Sequence, residues 1–276
     1  MNVDLHCHSN VSDGVLAPAE LVRRAAAQGV DVLALTDHDQ LAGLQEARSA
    51  ARESGIAFVD GVEISVTWRG TTIHVVGLCI DPAHAALGAA LETVRSGRIE
   101  RARQMARELA AVGIEGSLEG AMRYAENPRM IGRTHFARFL AESGTVRNAK
   151  AAFQHYLVPG KPGYVPQQWA ALAEAVAWIR SAGGQAVLAH PGRYGLASSA
   201  LDALLGEFRD LDGEAIEVVT GSHSPEQYRQ FAALVTRFGF AASRGSDFHG
   251  PSEGAELGSL PPLDPQLRAV WGGWGH

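Results

Sequence analysis

His6 and His8 stand two residues apart in HCHSNVSDG, near the start of the chain. On an extended segment that spacing turns both imidazoles to one face and Cys7 to the other, so the pair can grip a single metal ion. Asp13 follows in the next loop, His38 lies in LTDHD beside Asp39, and Glu63 lies in DGVEIS. His74 falls in TIHVVG, His190 in VLAHPG, and Asp247 with His249 in RGSDFHG. A lone histidine is more often a satisfied structural residue than a ligand. Nine imidazole and carboxylate groups, each on or at the end of a short apolar run, are poorly explained by chance. Their mixture of nitrogen and oxygen donors suits borderline divalent cations such as Zn²⁺, Mn²⁺ or Fe²⁺. Three such ions would bring roughly +6 against roughly −3 from Asp13, Glu63 and Asp247, and the surplus favours an oxyanion such as a phosphate ester. Ions in such a centre can activate hydroxide near neutral pH and neutralise phosphoryl oxygens during in-line displacement. No Ser–His–Asp arrangement and no phosphate-binding P-loop is visible, which favours a hydrolase over an NTPase.

The elements that must position these groups alternate. Residues 3–8, 31–36, 57–65, 72–80, 185–189, 214–219 and 240–243 read as strands, and residues 18–28, 40–53, 167–181, 201–208 and 225–238 as helices. That rhythm predicts βαβ units, with the turn Trp68-Arg69-Gly70-Thr71 suited to a hairpin and an antiparallel pair. Barrel active sites gather at the C-terminal ends of strands, where most of the nine groups fall. Between residues 81 and 166 strand-like runs vanish, and 83–112, 119–126, 134–142 and 148–157 read as helices, an inserted helical unit. Arginines 95, 98, 101, 103, 107 and 123 read mostly as a solvated face beside the stripe of Ile99, Met105, Leu109 and Val112.

The length of 276 residues suits one α/β barrel or two smaller domains. At 46% hydrophobic and 20% charged residues the chain is ordinary for a folded protein, which excludes disorder and coiled coil. A net charge of −6 argues against a general attraction to nucleic acid or to an anionic membrane. Two cysteines and no basic–apolar leader make a cytoplasmic location the default expectation. No membrane span is expected, and no obligate protein partner is evident.

The successive motifs HCHSNVSDG, LTDHD, GVEIS, TIHVVG, AHPGR and SDFHG resemble those of the polymerase and histidinol phosphatase, or PHP, family, over nearly the whole chain. The resemblance implies an α/β fold, a distorted (β/α)₇ barrel in residues 1–80 and 167–276, with residues 81–166 as a helical substrate-capping insertion. It implies two or three divalent ions, with Mn²⁺ expected and Zn²⁺ or Fe²⁺ as alternatives. The first ion would take His6, His8, Glu63 and Asp247. The second would take Glu63 as a bridge with His74 and His190, and the third Asp13, His38 and His249. Asp247 and Glu63 are thereby the expected catalytic residues, as ligands of the ions that activate hydroxide.

The segments PRMIGRTHFARFL, QHYLVPGKPGYVP and EVVTGSHSPEQ resemble the tryptophan-operon-associated branch of that family. That likeness implies removal of the 3′-phosphate from nucleoside 3′,5′-bisphosphates to leave 5′-mononucleotides. Arg133, His135, Lys161 and Tyr164 are placed over this nucleotide substrate, with Arg129 a weaker candidate. Arg193 is a candidate for an outer phosphate. His223, at a helix start, is expected to bind phosphate or protonate the leaving oxygen. Trp68, Tyr156, Trp169 and Trp178 are candidates for stacking. Alternative readings are a 5′→3′ exoribonuclease on short RNA and a histidinol-phosphate phosphatase. A non-enzymatic, polymerase-associated metal-binding module is disfavoured, because all nine positions are filled and the sequence ends at His276 without a polymerase.

Overall fold

The computed structural model describes residues 1–274. Seven strands run in sheet order β1 to β7: β1 Val3–Asp4, β2 Val32–Leu35, β3 Ala57–Trp68, β4 Thr71–Leu78, β5 Gln185–Leu188, β6 Ala215–Thr220 and β7 Ala241–Gly245. Every neighbouring pair is parallel except β3–β4 and β4–β5, so β4 alone runs against the rest. Its reversal is the expected hairpin. Trp68 pairs with Thr71, and Arg69 and Gly70 both have positive φ, the conformation of a two-residue turn that matches strand twist. The segment after β1 leaves regular pairing but continues along the end of β7, through Leu5 N–H to Arg244 O at 3.0 Å and Asp247 N–H to His6 O at 2.8 Å. The barrel is thus nearly closed.

Alternation along the strands makes two apolar layers. Val3, Leu5, Val32, Ala34, Val59, Val76, Val187 and Ala215 fill the barrel interior. Leu33, Leu35, Val62, Ile64, Val75 and Leu188 face outward onto the helices. Those helices are α1 Pro18–Ala27, α2 Leu44–Ser54, α3 Ala85–Ser96, α8 Leu172–Ser181, α9 Ser198–Asp210 and α10 Pro225–Phe238. Between α3 and α8 lie α4 Arg98–Ala110, α5 Ser117–Met122, α6 Arg133–Glu142 and α7 Ala149–Ala152. These four pack around a third cluster of Met105, Leu109, Phe136, Leu140 and Leu157.

The strand expected over 3–8 is regular only at Val3–Asp4, the helix expected from 40 begins at Leu44, and that expected over 148–157 divides into α7 and a π-helical turn at Phe153–Leu157. Three further differences bear on the site. The single helix expected over 83–112 breaks at Gly97, where a Cβ would collide with the Gln167 amide; α3 stays on the barrel core through Leu87, Leu91 and Val94, and α4 turns into the third cluster. The helix expected from 167 begins at Leu172, because the preceding residues bridge β3, with Thr67 N–H donating to Ala170 O. Strand β3 runs past residue 65 to Trp68, which puts Glu63 inside the strand and not at its end. No helix among the described residues is long and apolar enough to cross a membrane.

Candidate metal centre

Glu63 lies on β3 between two neighbours: on one edge it pairs with Val76 of β4, and on the other it bridges His38 in the segment after β2, with Glu63 N–H donating to Asp37 O and Asp39 N–H to Glu63 O. Cross-strand register puts Ser65 opposite His74, on the same face as Glu63. His6 Nε2 lies 3.1 Å from His8 Nε2. Cys7 points away into the outer core, its thiol donating to Ala34 O. His6, His8 and Glu63 are all fully buried.

All nine expected groups converge. Three sets bring their ligand atoms within 4.8 Å of one another: His6, His8, Glu63 and Asp247; His8, Asp13, His38 and His249; and His38, Glu63 and His74. The first is the set implied by the family resemblance. The third joins His38 to Glu63 and His74 of the expected second set; His190 lies outside these three sets, with its Nε2 3.0 Å from Glu63 Oε1, the oxygen that His74 Nδ1 also approaches. His8 joins two sets, so the centres share more ligands than expected.

Divalent ions fit these donors. His6 Nδ1 lies 2.7 Å from the Glu217 carboxylate; with the proton on that nitrogen, the Nε2 lone pair faces His8, Glu63 and Asp247. His38 Nδ1 lies 2.9 Å from Glu63 Oε2, and His74 Nδ1 2.9 Å from Glu63 Oε1, yet His8 Nδ1, His38 Nδ1, His74 Nδ1 and Glu63 Oε2 all lack a partner in hydrogen-bonding geometry. Lone pairs crowded in this way call for cations. Protonation tells the same story. Burial alone would lower the pKa of His8, but the Asp247 and Glu63 carboxylates beside it override that and hold the value at about 10. His6 is likewise raised well above its usual value, against burial, by Glu217, Glu63 and Asp247. Burial would raise Glu63, Asp247 and Asp13, but the surrounding histidines, together with Arg193 at Asp247, hold all three well below the usual carboxylate range. Protons occupy positions that metal ions take over when they bind.

Supporting contacts fix the ligands. Glu217, on β6, faces His6 Nδ1 and accepts the His190 backbone N–H at 2.6 Å. Asp37 accepts from Ser9 and Ser12 and so shapes the loop carrying Asp13. Asp39 accepts from Ser65 N–H and Oγ–H and pairs with Arg98. His190, Asp247 and Asp39 all have positive φ, strained backbone of the kind that gathers at functional sites. A charge inside the apolar run AIEVVT was the one sequence sign of Glu217.

Above the carboxylates opens a cleft with a cavity volume of about 100 Å³. Arg133 and Arg193 line it as expected, and Arg193 donates to Asp247 Oδ2 at 2.6 Å. The other substrate candidates stand elsewhere. His223 is buried and outside the cleft lining, with Nδ1 on Val218 O of β6 and Nε2 accepting the Gly192 N–H of the 191–194 turn. His135 is buried outside the cleft lining, its Nδ1 accepting the Gly132 N–H at the start of α6, and desolvation lowers its pKa to about 4. Lys161 is exposed and outside the cleft lining, since a lysine in that loop keeps its ammonium hydrated. Tyr164 is half-buried beside Arg101 and Arg133. Arg129 pairs with Glu92 on the surface.

Two arginines read as a solvated face are instead part of the site. Arg98 and Arg101 are 8% and 9% exposed and line the cleft, stacked over Trp169 at 4.7 and 5.4 Å. Arg103, Arg107 and Arg123 are exposed, as expected. The i, i+3 spacing of Arg98 and Arg101 was the available sign that they share a helix face.

The PHP domain model matches residues 4–185. This chain belongs to the PHP domain family. A PHP relative from Chromobacterium violaceum named 3′,5′-nucleoside bisphosphate phosphatase is 52% identical over 98% of this chain and 95% of its own. A 5′-3′ exoribonuclease of Haemophilus influenzae is 41% identical over 97% of each chain. Among solved structures, an amidohydrolase from Chromobacterium violaceum with bound sulfate superposes with a TM-score of 0.96 at 52% identity, covering 98% of this chain and 95% of that one. A Bifidobacterium adolescentis protein, provisionally described as a metal-dependent phosphoesterase, gives 0.80 at 27% identity, covering 97% and 92%. Family membership with near end-to-end relatives makes this PHP chain an enzyme of the phosphate-ester hydrolase class.

Proposed function

We propose that the chain removes the 3′-phosphate of nucleoside 3′,5′-bisphosphates, leaving 5′-mononucleotides, with Mn²⁺ as the working ion. The observation that carries this reading is a pair of cationic groups, Arg101 and Arg133, lining the same cleft as the ligand cluster. Arg101 donates to Val165 O at 2.8 Å, and Arg133 reaches Leu157 O at 3.4 Å; neither has a carboxylate partner among the described residues. Burial, with other arginines nearby, lowers the pKa of Arg101 to about 9, and burial lowers that of Arg133 as well. Guanidinium groups desolvated without counter-charge are relieved by an anion, and a fork of donors matches phosphate. The bisphosphate phosphatase relative and the sulfate held by the related amidohydrolase support this direction.

Divalent ions held by His6, His8, Asp13, His38, Glu63, His74, His190, Asp247 and His249 would supply Lewis acidity and nucleophile activation. Glu63 belongs to two of the ligand sets and so couples them. Thr134 Oγ–H donates to Asp13 Oδ2 at 3.0 Å and ties the start of α6 to the ligand cluster. Arg193 beside Asp247 offers its remaining N–H groups to the reacting phosphoryl oxygens. The segment 81–166 acts as a cap that carries Arg98, Arg101 and Arg133 over the ester and orients it. Arg98 and Arg101 take the part expected of Lys161.

Arg133→Ala and Arg101→Ala should lower kcat/KM for adenosine 3′,5′-bisphosphate by about 10-fold to 100-fold, and much less for an aryl phosphate with no second anion to hold. Equal losses on both substrates would assign these arginines to folding or to the reacting phosphate. A second reading, 5′→3′ trimming of short RNA, is favoured by the near full-length match to exoribonucleases. It uses the same anion site for a 5′-phosphate. Turnover that rises with oligonucleotide length would select it, whereas the −6 charge disfavours an extended basic track.

A further inference from the structure

The aromatic residues expected to stack on a base are committed elsewhere. Trp68 is buried with its indole N–H on Glu207, Trp178 packs on the main core, and Tyr156 lies outside the cleft lining. Trp169 does line the cleft, but it is 8% exposed and carries two guanidinium groups against its ring.

Phe153 belongs to no sequence motif, and it lines the same cleft. It is half-buried and opens the π-helical turn Phe153–Leu157, directly after α7. Wide turns of this kind are uncommon and recur at functional sites. Here the turn buries Leu157 in the cap cluster, sets the Leu157 carbonyl within reach of Arg133, and leaves Phe153 at the cleft. The Arg133 guanidinium lies 5.9 Å from the Phe153 ring centre. With Met130 and Trp169, Phe153 forms an apolar stretch in a cleft otherwise lined by arginines, hydroxyls and metal-ligating groups.

A bound bisphosphate presents three kinds of surface: a reacting phosphate for the ligand cluster, a second phosphate for the buried arginines, and an uncharged heterocycle. The heterocycle matches the one apolar wall. We infer that Phe153 is the platform on which the base of the nucleotide stacks, an inference that rests on the bisphosphate reading above. No Asn or Gln side chain lines the cleft among the described residues, so no side-chain amide there presents a donor and an acceptor together to the edge of a base. Recognition is by the ring face and tolerates different bases.

The test compares adenosine 3′,5′-bisphosphate with ribose 3,5-bisphosphate, which has both phosphates and no base, on Mn²⁺-loaded enzyme. Stacking on an aromatic side chain is strong enough that Phe153→Ala should reduce the ratio of the two kcat/KM values by about 10-fold to 100-fold. The loss should appear mainly in KM, and Phe153→Trp should restore the ratio. A ratio unchanged in Phe153→Ala overturns the platform. Equilibrium binding of adenosine 5′-phosphate against ribose 5-phosphate supplies a readout free of turnover. Wild-type protein should prefer the base-bearing ligand by a similar factor, and Phe153→Ala should lose that preference; equal affinities in wild type overturn the platform. If wild type binds with this preference but releases no phosphate from either bisphosphate, the bisphosphate reading falls while the platform stands.

Discussion

At the scale of single residues, the ligand cluster depends on one carboxylate that belongs to none of the ligand sets. Glu217 faces His6 Nδ1 and holds the His190 backbone, which sets the direction of two imidazoles at once. Outer-shell carboxylates of this kind fix tautomer and raise ligand basicity. Glu217→Gln, which keeps shape and loses charge, should weaken metal binding by about 10-fold to 100-fold in a chelator competition, with the circular dichroism spectrum retained. Undiminished affinity would show that the His6 ring is held by its other neighbours. Glu63→Ala and Asp247→Ala should go further and abolish phosphate release from a folded protein, because each removes a carboxylate on which several histidines converge. Near-wild-type turnover in either variant would contradict the proposed centre.

At the scale of elements, the near-closure of the barrel places the first and last strands against each other with no room between them. A methyl group on Gly245, in β7, would collide with His6 Cβ and sit 2.7 Å from His6 N. The neighbour is backbone and a ligand side chain, so it cannot swing aside. Gly245→Ala should therefore cost about 1–3 kcal/mol in denaturant unfolding and also loosen metal binding. Gly206, inside α9, provides the contrast, since nothing lies within 4 Å of its added Cβ. Gly206→Ala should raise stability by about 0.5–1 kcal/mol through helix propensity alone. The reverse order of effects would mean that β1 and β7 do not approach as described.

At the scale of the whole molecule, the helical segment proposed as a cap and the barrel are joined through polar contacts around the cleft. Arg98 meets Asp39, Thr134 meets Asp13, Arg138 meets Glu253, and Asn10 meets Glu126. Asp13 is a proposed ligand and Asp39 adjoins His38, so metal binding and cap docking share a set of side chains. Ions that bind only the folded state stabilise it by about 2.7–4 kcal/mol at 100 to 1,000 times their dissociation constant. Stripping Mn²⁺ with a chelator should accordingly lower Tm by roughly 5–15 °C, and reloading two or three equivalents should restore it. An unchanged Tm after elemental analysis confirms removal would separate the metal centre from the stability of the fold.

The sequence by itself determined the nine ligand candidates and the alternation of elements, because both are local. His6 and His8 share a face through the two-residue period of an extended chain, and the β3–β4 hairpin follows from Arg69-Gly70 accepting positive φ. The β7–β1 closure, the His38–Glu63 bridge and the sharing of His8 between ligand sets were decided only by tertiary structure, since each joins positions far apart in the chain. The same limit misplaced the cationic groups. Arg98 and Arg101 looked like a solvated helix face, and only the fold brings Trp169 and Asp39 against them to bury the guanidinium groups over the cleft. Lys161 and His223 sat in suggestive motifs, but the lysine is exposed, both imidazole nitrogens bond to backbone, and neither residue lines the cleft. A charge is read from sequence as a type. Whether it is hydrated, paired or held waiting for an anion depends on which distant groups the fold packs beside it.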